Sequence, residues 1–190
     1  MPAQAPASTD TLFLERLDSP LGTLIAGATG RGLSVVLFGP DAQVAKDVLR
    51  GDFPDISVGV SRTGPLGDAS RTLAACKRQV AEYFAGQRRD FDLPLDIQGT
   101  PFQVEVLMAL LRVPYGQTRS YLDLARMTGR RGGARAIGQV VRRNRIPVVV
   151  PCHRIIAADG GLGGYGGRWE ESGMYADMKR FLLDLERPIR

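Results

Sequence analysis

Three short apolar runs open the chain, at residues 11–17, 22–29 and 32–38. Each is rich in Leu, Ile, Val and Phe, and turn residues such as Ser19-Pro20 separate them. Runs of this length bounded by Gly and Pro predict β-strands, and Gly30-Arg31-Gly32 predicts a hairpin turn. The N-terminal part is therefore predicted to form a sheet.

Apolar residues then recur at helical spacing. A helix is predicted over 41–50 and a longer one over about 70–85, with Gly86 as its stop. Cys76 lies on the apolar stripe of the longer helix, which indicates a small core side chain rather than a reactive thiol. The charged, then extended stretch that follows is the best linker candidate. We predict a disordered tail at 1–10, an α/β domain at 11–90, a linker at 91–98 and a second domain at 99–190.

The second half is predominantly helical in pattern. Thr100, Pro101 and Gln103 form a capping box with proline at the first helical position. Ser120 is predicted to cap a short helix over 121–127, and another helix follows at about 133–143. Two short helices joined by a Gly-containing turn predict a helix-turn-helix, for which an ordinary helical hairpin is the alternative.

The segment 146–156, Ile-Pro-Val-Val-Val-Pro-Cys-His-Arg-Ile-Ile, has three β-branched residues between two prolines. This pattern predicts a buried, extended run. A polar Cys-His-Arg triplet is costly to bury there unless it has partners or a function. Six glycines follow within residues 159–167, a composition that lets backbone approach a ligand closely. An amphipathic helix is predicted at the C-terminus, where Met174, Met178, Phe181, Leu182 and Leu185 share a face.

Composition and charge narrow the class of protein. The 190 residues are 44% hydrophobic, with no apolar run that reaches the length of a membrane span and no secretory signal pattern at the start. We therefore expect a cytoplasmic protein that does not bind membranes. The formal net charge of +5 arises after residue 90, and nine arginines but one acid occupy residues 112–145. Such a block indicates a polyanionic partner such as nucleic acid, and a well-solvated surface is the alternative.

Cys152 is directly followed by His153, the only histidine. Two cysteines and one histidine are too few for a zinc tetrad, so we expect no metal. A free thiol has a pKa of about 8.5 and needs a base or a positive field to act as a nucleophile at neutral pH. On an extended chain adjacent side chains point apart, which suggests that His153 acts through a water while a carboxylate orients its other nitrogen. A buried cysteine with a histidine satisfied by backbone is the alternative.

Residues 96–190 resemble the catalytic domain of the O6-alkylguanine-DNA alkyltransferases, the methylated-DNA–protein-cysteine methyltransferases. The matching words are Gly-Thr-Pro-Phe-Gln at 99–103, Pro-Tyr-Gly-Gln-Thr-Arg-Ser-Tyr at 114–121, Ala-Arg-Ala-Ile-Gly at 134–138, Asn144, Pro-Cys-His-Arg-Ile-Ile at 151–156 and Leu-Gly-Gly-Tyr at 162–165. Ser-Pro-Leu-Gly-Thr-Leu at 19–24 and Glu-Tyr-Phe-Ala-Gly at 82–86 also resemble the family. The resemblance covers nearly the whole chain beyond residue 10.

The resemblance implies a catalytic group of four residues. Cys152 accepts the alkyl group, His153 is its base through a water, Glu186 orients the imidazole and Asn144 braces the site. It also implies DNA contacts from Tyr121, Arg135, Arg130 and Arg142, with Arg135 filling the gap left by a flipped nucleotide and Tyr121 rotating the 3′ phosphate. The implied pocket for the base is formed by Tyr165, Pro147, Val141 and Lys179.

The implied protein is a two-domain α/β monomer. A ribonuclease-H-like sheet domain precedes a mainly helical, winged-helix-like domain with the helix-turn-helix. The implied substrate is double-stranded DNA bearing O6-alkylguanine, and no cofactor is required. Two departures from the family pattern stand out: Arg145 occupies a usual proline position, and eleven residues separate Gly167 from Lys179.

Two other functions are compatible with parts of this pattern. One is a non-catalytic binder or regulator that recognises alkylated DNA on the same scaffold; proteins of that kind replace the acceptor cysteine, which is present here. The other is a hydrolase with a Cys-His-Glu triad, which leaves the arginine-rich helix without a role.

Overall fold

The computed structural model describes residues 11–39, 57–60, 67–130, 132–165 and 172–187, with backbone alone at 57–60. The predicted tail at 1–10 and the predicted helix at 41–50 lie outside these residues. The chain divides into two compact units. The first comprises Met1–Arg78 with Leu93–Asp96, and the second comprises Gln79–Asp92 with Ile97–Arg190.

The first unit contains a four-stranded sheet in the order β3-β2-β1-β4. The strands are β1 (Thr11–Ser19), β2 (Gly22–Thr29), β3 (Gly32–Phe38) and β4 (Ser57–Val60). β2 pairs antiparallel with both β1 and β3, whereas β4 runs parallel to β1. The strands and the hairpin turn predicted at Gly30-Arg31-Gly32 are confirmed, since Thr29 pairs with Gly32. Leu12, Leu14, Ile25 and Val35 form a core cluster on the sheet.

Asp96 fastens the segment Leu93–Asp96 beside β3. Its buried carboxylate accepts hydrogen bonds from Thr29 Oγ1 at 2.8 Å and Ser34 Oγ at 3.0 Å, and Arg31 adds an ion pair. Gly32 is needed here because a Cβ would lie 2.4 Å from the Pro94 carbonyl oxygen, and its φ is +144°. Residues 93–96 of the segment predicted as a linker, 91–98, therefore belong to the first unit.

The second unit is mainly helical. It holds the end of α1 (Asp68–Phe84), followed by α2 (Pro101–Leu111), α3 (Tyr121–Met127), α4 (Ala134–Arg142) and α5 (Met174–Leu185). Two short parallel strands, β5 (Arg119–Ser120) and β6 (Ile155–Ile156), complete it. Its core includes Val106, Leu110, Leu124, Ile137 and Leu182. Cys76 of α1, which belongs to the first unit, is fully buried as predicted.

Side-chain caps fix where the helices begin. The Thr100 side chain accepts a hydrogen bond from the backbone N–H of Gln103, and the Gln103 side chain accepts one from the backbone N–H of Thr100. The predicted capping box is therefore confirmed. Ser120 and Asp123 form a second capping box at the start of α3. In α5, Met178 and Leu182 are buried, whereas Met174 and Phe181 of the predicted apolar face are 61% and 38% exposed. Within the described residues, no helix combines the length and the apolar character that crossing a membrane requires.

Candidate active site

The segment before Cys152 is a turn, not the extended run that the sequence pattern predicted. Val150 N–H donates to the Ile146 carbonyl at 2.8 Å, and Val148 adopts a φ of 72°. Asn144 closes the turn with its amide: its Oδ1 accepts from Ile146 N–H at 3.0 Å and its Nδ2 donates to the Val150 carbonyl at 2.8 Å. These bonds replace a strand ladder, which explains why the predicted extended backbone is wrong, whereas the predicted burial is confirmed for residues 146–150.

Cys152 begins a single 3-10 turn, Cys152–Arg154, rather than lying on a strand. The thiol is 5% exposed, and burial raises its pKa. A hydrogen bond from Asn144, the charge of Lys179, and the backbone N–H groups of Cys152 and His153 oppose that increase. A buried thiol surrounded by donors and a cation is suited to ionise when a base takes its proton.

Glu186, which caps the C-terminus of α5, lies against His153. His153 Nε2 is 2.9 Å from Glu186 Oε1, and both side chains are almost completely buried. Arg154 binds the same carboxylate at both oxygens, with Nε to Oε2 and Nη2 to Oε1, each at 2.8 Å. Tyr83 Oη donates to Oε1 at 2.8 Å and Gly116 N–H donates to Oε2 at 3.1 Å. The carboxylate thus accepts four hydrogen bonds from three residues, Arg154, Tyr83 and Gly116, besides its contact with the histidine.

This network fixes the tautomer of His153. Burial alone would raise the pKa of Glu186, but the hydrogen bonds and charges of His153 and Arg154 bring it down to about 2. Burial lowers the pKa of His153, although Glu186 opposes this shift. The lowered pKa favours the neutral ring. An ionised Glu186 can only accept, so the neutral ring carries its proton on Nε2. Nδ1, buried and without a hydrogen-bond partner among the described residues, is then the basic atom.

Lys179 is buried beneath the glycine-rich loop. Its ammonium donates to the carbonyls of Ile155 and Leu162, both at 2.5 Å, and to that of Gly164 at 3.2 Å. Burial lowers its pKa to about 8, and the charge of Cys152 opposes this shift. Lys179 therefore both anchors the described part of the loop and places a positive charge near the sulfur. The longer spacer before it, residues 168–178, does not displace Lys179 from the site; residues 168–171 of this spacer lie outside the described residues.

Two tyrosines extend the site around Cys152. Gly163 packs against Tyr121, whose hydroxyl would lie 3.1 Å from a Cβ at that glycine. Burial raises the pKa of Tyr121, the charge of Cys152 adds to this, and a backbone hydrogen bond from Gly164 opposes it. Tyr165 is 4% exposed, and burial and Cys152 raise its pKa as well. The predicted pocket residues Val141 and Pro147 are also buried, the first in α4 and the second in the turn.

The basic surface lies on α3, α4 and the turn between them. Arg135, in the first turn of α4, is exposed and makes no hydrogen bond or ion pair with the described residues, and Arg142 is exposed at its other end. Arg130 is engaged: it pairs with Glu105 at 2.6 Å and its guanidinium lies 4.7 Å from the centre of the Phe102 ring. A groove of about 710 Å³ lies alongside, lined by Leu122, Arg126, Gly129 and Gly132.

Sequence reasoning missed three members of the Glu186 network: Tyr83, Arg154 and the Gly116 amide. Tyr83 and Arg154 lie within two motifs that resemble the family, Glu-Tyr-Phe-Ala-Gly and Pro-Cys-His-Arg. A signal was available for Arg154, because a buried arginine needs an acidic partner and Glu186 had already been selected. None was available for Tyr83, which is 103 residues from Glu186 in the sequence.

Two family profiles match the chain. That of the 6-O-methylguanine DNA methyltransferase, ribonuclease-like domain, matches residues 12–97, and that of the DNA binding domain of the same family matches residues 101–188. The first match agrees with the fold predicted for the N-terminal part, and the second covers the mainly helical unit.

Curated relatives and solved structures agree with the profiles. The constitutive methylated-DNA–protein-cysteine methyltransferase of Bacillus subtilis is 49% identical over 115 residues, which span 60% of this chain and 66%, just under two thirds, of that protein. The Mycobacterium leprae methylated-DNA–protein-cysteine methyltransferase is 39% identical over 171 residues, 90% of each chain. Mycobacterium tuberculosis OGT in complex with DNA superposes with a TM-score of 0.69 at 37% identity, over 92% of each chain.

Proposed function

This chain belongs to the methylated-DNA–protein-cysteine methyltransferases, and we propose that it repairs DNA by moving the alkyl group from O6 of guanine onto Cys152. The observation that carries the proposal is the buried Cys152 thiol beside His153, whose Nε2 is held by Glu186 at 2.9 Å. That geometry leaves Nδ1 as a base. O4-alkylthymine presents the same kind of alkyl–oxygen bond and is the second lesion to test.

The chemical step is a displacement at carbon. His153 Nδ1 takes the thiol proton through a water, and Glu186 stabilises the resulting imidazolium. The thiolate attacks the alkyl carbon in line with the C–O6 bond. A C–S bond forms, the bond between the alkyl carbon and O6 breaks, and its electron pair passes to the purine. The purine takes up one proton and leaves as guanine, while His153 returns the thiol proton to water, so that protons and charge balance. The product is a thioether with no acyl carbon for water to attack, so one protein molecule repairs one lesion.

Access to O6 requires the base to leave the helix. Extrusion of a nucleotide costs a few kcal/mol, which the protein must offset. Arg135 is suited to this because it is exposed and unengaged by the described residues, so that it can enter the stack in place of the base. Tyr121 lies against Gly163 of the glycine-rich loop, and burial and the charge of Cys152 raise its pKa. We assign to Tyr121 the displacement of the 3′ phosphate and part of the pocket lining. In this proposal the second helix of the helix-turn-helix lies in the minor groove.

The remaining assigned residues have supporting roles. Arg142 and Arg130 contact phosphates, although Arg130 must then leave or share its pair with Glu105. Tyr165, Pro147, Val141 and Lys179 shape the pocket for the alkylated base, and Asn144 braces the turn before Cys152. The division into domains at 11–90 and 99–190, and action as a cytoplasmic monomer without a cofactor, are part of the same proposal.

Two variants separate transfer from the rival functions. The protein is incubated with duplex DNA carrying O6-methylguanine and then digested, and the methylated peptide is identified by mass spectrometry. We expect methyl on Cys152 and none on Cys76, whose pKa burial raises to about 12. Cys152→Ser should abolish the adduct and Cys76→Ser should retain it. Tight lesion binding without any adduct would support the non-catalytic binder, and turnover of esters or amides would support the hydrolase.

A further inference from the structure

Tyr83 belongs to a cluster of aromatic side chains and has its hydroxyl group at the Glu186 carboxylate. The side chain is fully buried, and its ring lies 5.3 Å from that of Phe91 and 6.2 Å from that of Tyr115, measured between centroids. The hydroxyl donates to Glu186 Oε1 at 2.8 Å. Burial and the charge of Glu186 raise the pKa of Tyr83 well above its ordinary value, so the group stays a donor. A phenylalanine at position 83 would pack its ring equally well. The hydroxyl at the carboxylate is therefore not explained by ring packing.

Three groups converge on the oxygen that faces the base. Glu186 Oε1 lies 2.8 Å from Tyr83 Oη, 2.8 Å from Arg154 Nη2 and 2.9 Å from His153 Nε2. A carboxylate oxygen has about two lone-pair sites, so these three share its electron density. Each hydrogen bond from a neutral or cationic donor reduces the capacity of Oε1 to stabilise a positive charge on the imidazole. Tyr83 therefore acts on the histidine through the carboxylate.

From this geometry we infer that Tyr83 is a positioning residue of the alkyl transfer, which keeps His153 neutral and its proton on Nε2. The inference rests on the proposed function for its meaning in catalysis. Loss of the hydroxyl makes Oε1 more basic, stabilises the imidazolium and leaves less of the free base that accepts the thiol proton. Arg154 cannot substitute, since it already binds both oxygens.

Several other charged or polar groups surround this pair, and all except Tyr115, which the control variant below alters, are the same in every variant compared. Around Glu186 they are His153, Arg154, Tyr115 and the Gly116 amide, and Arg89 lies over the Tyr115 ring at 5.6 Å. Around His153 they are Arg154 and Lys179.

Tyr83→Phe removes the hydroxyl and keeps the ring, and Tyr115→Phe is its matched control. Tyr115 belongs to the same cluster, but its hydroxyl donates to the Leu185 carbonyl at 3.0 Å and not to the carboxylate. Because His153 is the only histidine, ¹⁵N resonances of its imidazole can be followed against pH in the intact protein. We expect Tyr83→Phe to raise the imidazole midpoint by about 0.5 to 1 pH unit and Tyr115→Phe to leave it in place.

The rate of alkyl transfer gives a second readout. A single-turnover rate rises with pH as His153 loses its proton, and in Tyr83→Phe this rise should move upward by the same interval. Below the midpoint the variant is then slower by about three- to tenfold. A purely structural role would lower the fraction of protein that can be alkylated without moving the midpoint, and that result would overturn the inference.

Two further outcomes keep the inference open to refutation. If Tyr83→Phe does not fold, replacing all tyrosines by 3-fluorotyrosine strengthens the phenol as a donor, and the imidazole midpoint should move downward; no movement would refute the role. If the wild type never acquires an alkyl group, the proposed function fails, while the imidazole midpoints still test the action of Tyr83 on His153.

Discussion

Replacement of Glu186 by glutamine should destabilise the protein severely while changing the shape of one side chain very little. The carboxylate accepts from Arg154 at both oxygens and from Tyr83 and Gly116. An amide presents N–H groups at one of these positions, where only donors face it, and leaves the buried guanidinium without a counter-charge. Breaking a buried ion pair by removing one partner costs about 3–5 kcal/mol.

The pKa of Glu186 gives a similar magnitude. It falls from 4.5 to about 2 on folding, and one pKa unit corresponds to about 1.4 kcal/mol, so the ionised carboxylate stabilises the fold by about 3 kcal/mol. Because the folded pKa is depressed, this contribution is fully present above pH 4.5 and is lost as pH falls through about 2. The free energies of unfolding of wild type and Glu186→Gln should therefore differ most above pH 4.5 and converge in acid.

Urea unfolding followed by circular dichroism at several pH values measures this difference. Asp184→Asn is the matched control, since Asp184 lies in the same helix and pairs with Arg187 on the surface at 3.2 Å, with side chains 59% and 77% exposed. An exposed pair of this kind contributes about 0–1 kcal/mol. A loss for Glu186→Gln as small as that of the control, or one independent of pH, would refute the reasoning about the network.

Three other predictions concern DNA and the loop. Arg135→Ala should slow repair of duplex DNA far more than reaction with free O6-alkylguanine, and equal losses would exclude a role in extrusion. Affinity for duplex DNA should fall steeply with salt because several phosphates are neutralised; a flat profile in a titration by fluorescence anisotropy would contradict this. Lys179→Met should cost about 1–3 kcal/mol of unfolding free energy and increase amide hydrogen exchange over 157–165, because one buried and two partly buried carbonyls lose their donor. Lys77→Met, which removes an exposed partner of Glu15, is its control and should change neither.

Local signals in the sequence predicted most elements well. Strand boundaries follow from Gly and Pro around β-branched runs, and helix starts follow from the side chains of Thr100 and Ser120, which bond within three residues. Such interactions are short in range, and tertiary context did not override them.

The segment 146–151 shows where local reasoning failed. Prolines and β-branched residues favour extended backbone, but the amide of Asn144 reaches both Ile146 and Val150 and bends the chain into a turn. Val148 consequently adopts a φ of 72°, which is costly for a β-branched residue and is maintained only by its surroundings.

Site residues that lie in motifs resembling the family could be predicted from the sequence. Contacts between residues far apart in the sequence could not. Cys152, His153 and Glu186 could be named from the resemblance, and the structure brings the last two together. Arg154 and Tyr83 complete the carboxylate's hydrogen bonds from other parts of the chain, and no periodicity or spacing encodes that convergence.

Titration with excess damaged DNA tests the central claim most directly. The protein is mixed with increasing amounts of duplex containing O6-methylguanine, and its intact mass is measured alongside the lesions consumed. Permanent transfer to Cys152 predicts that both quantities reach a plateau at one methyl group per protein molecule, however large the excess. Continued repair beyond one lesion per molecule, or repair without any gain in protein mass, would contradict it.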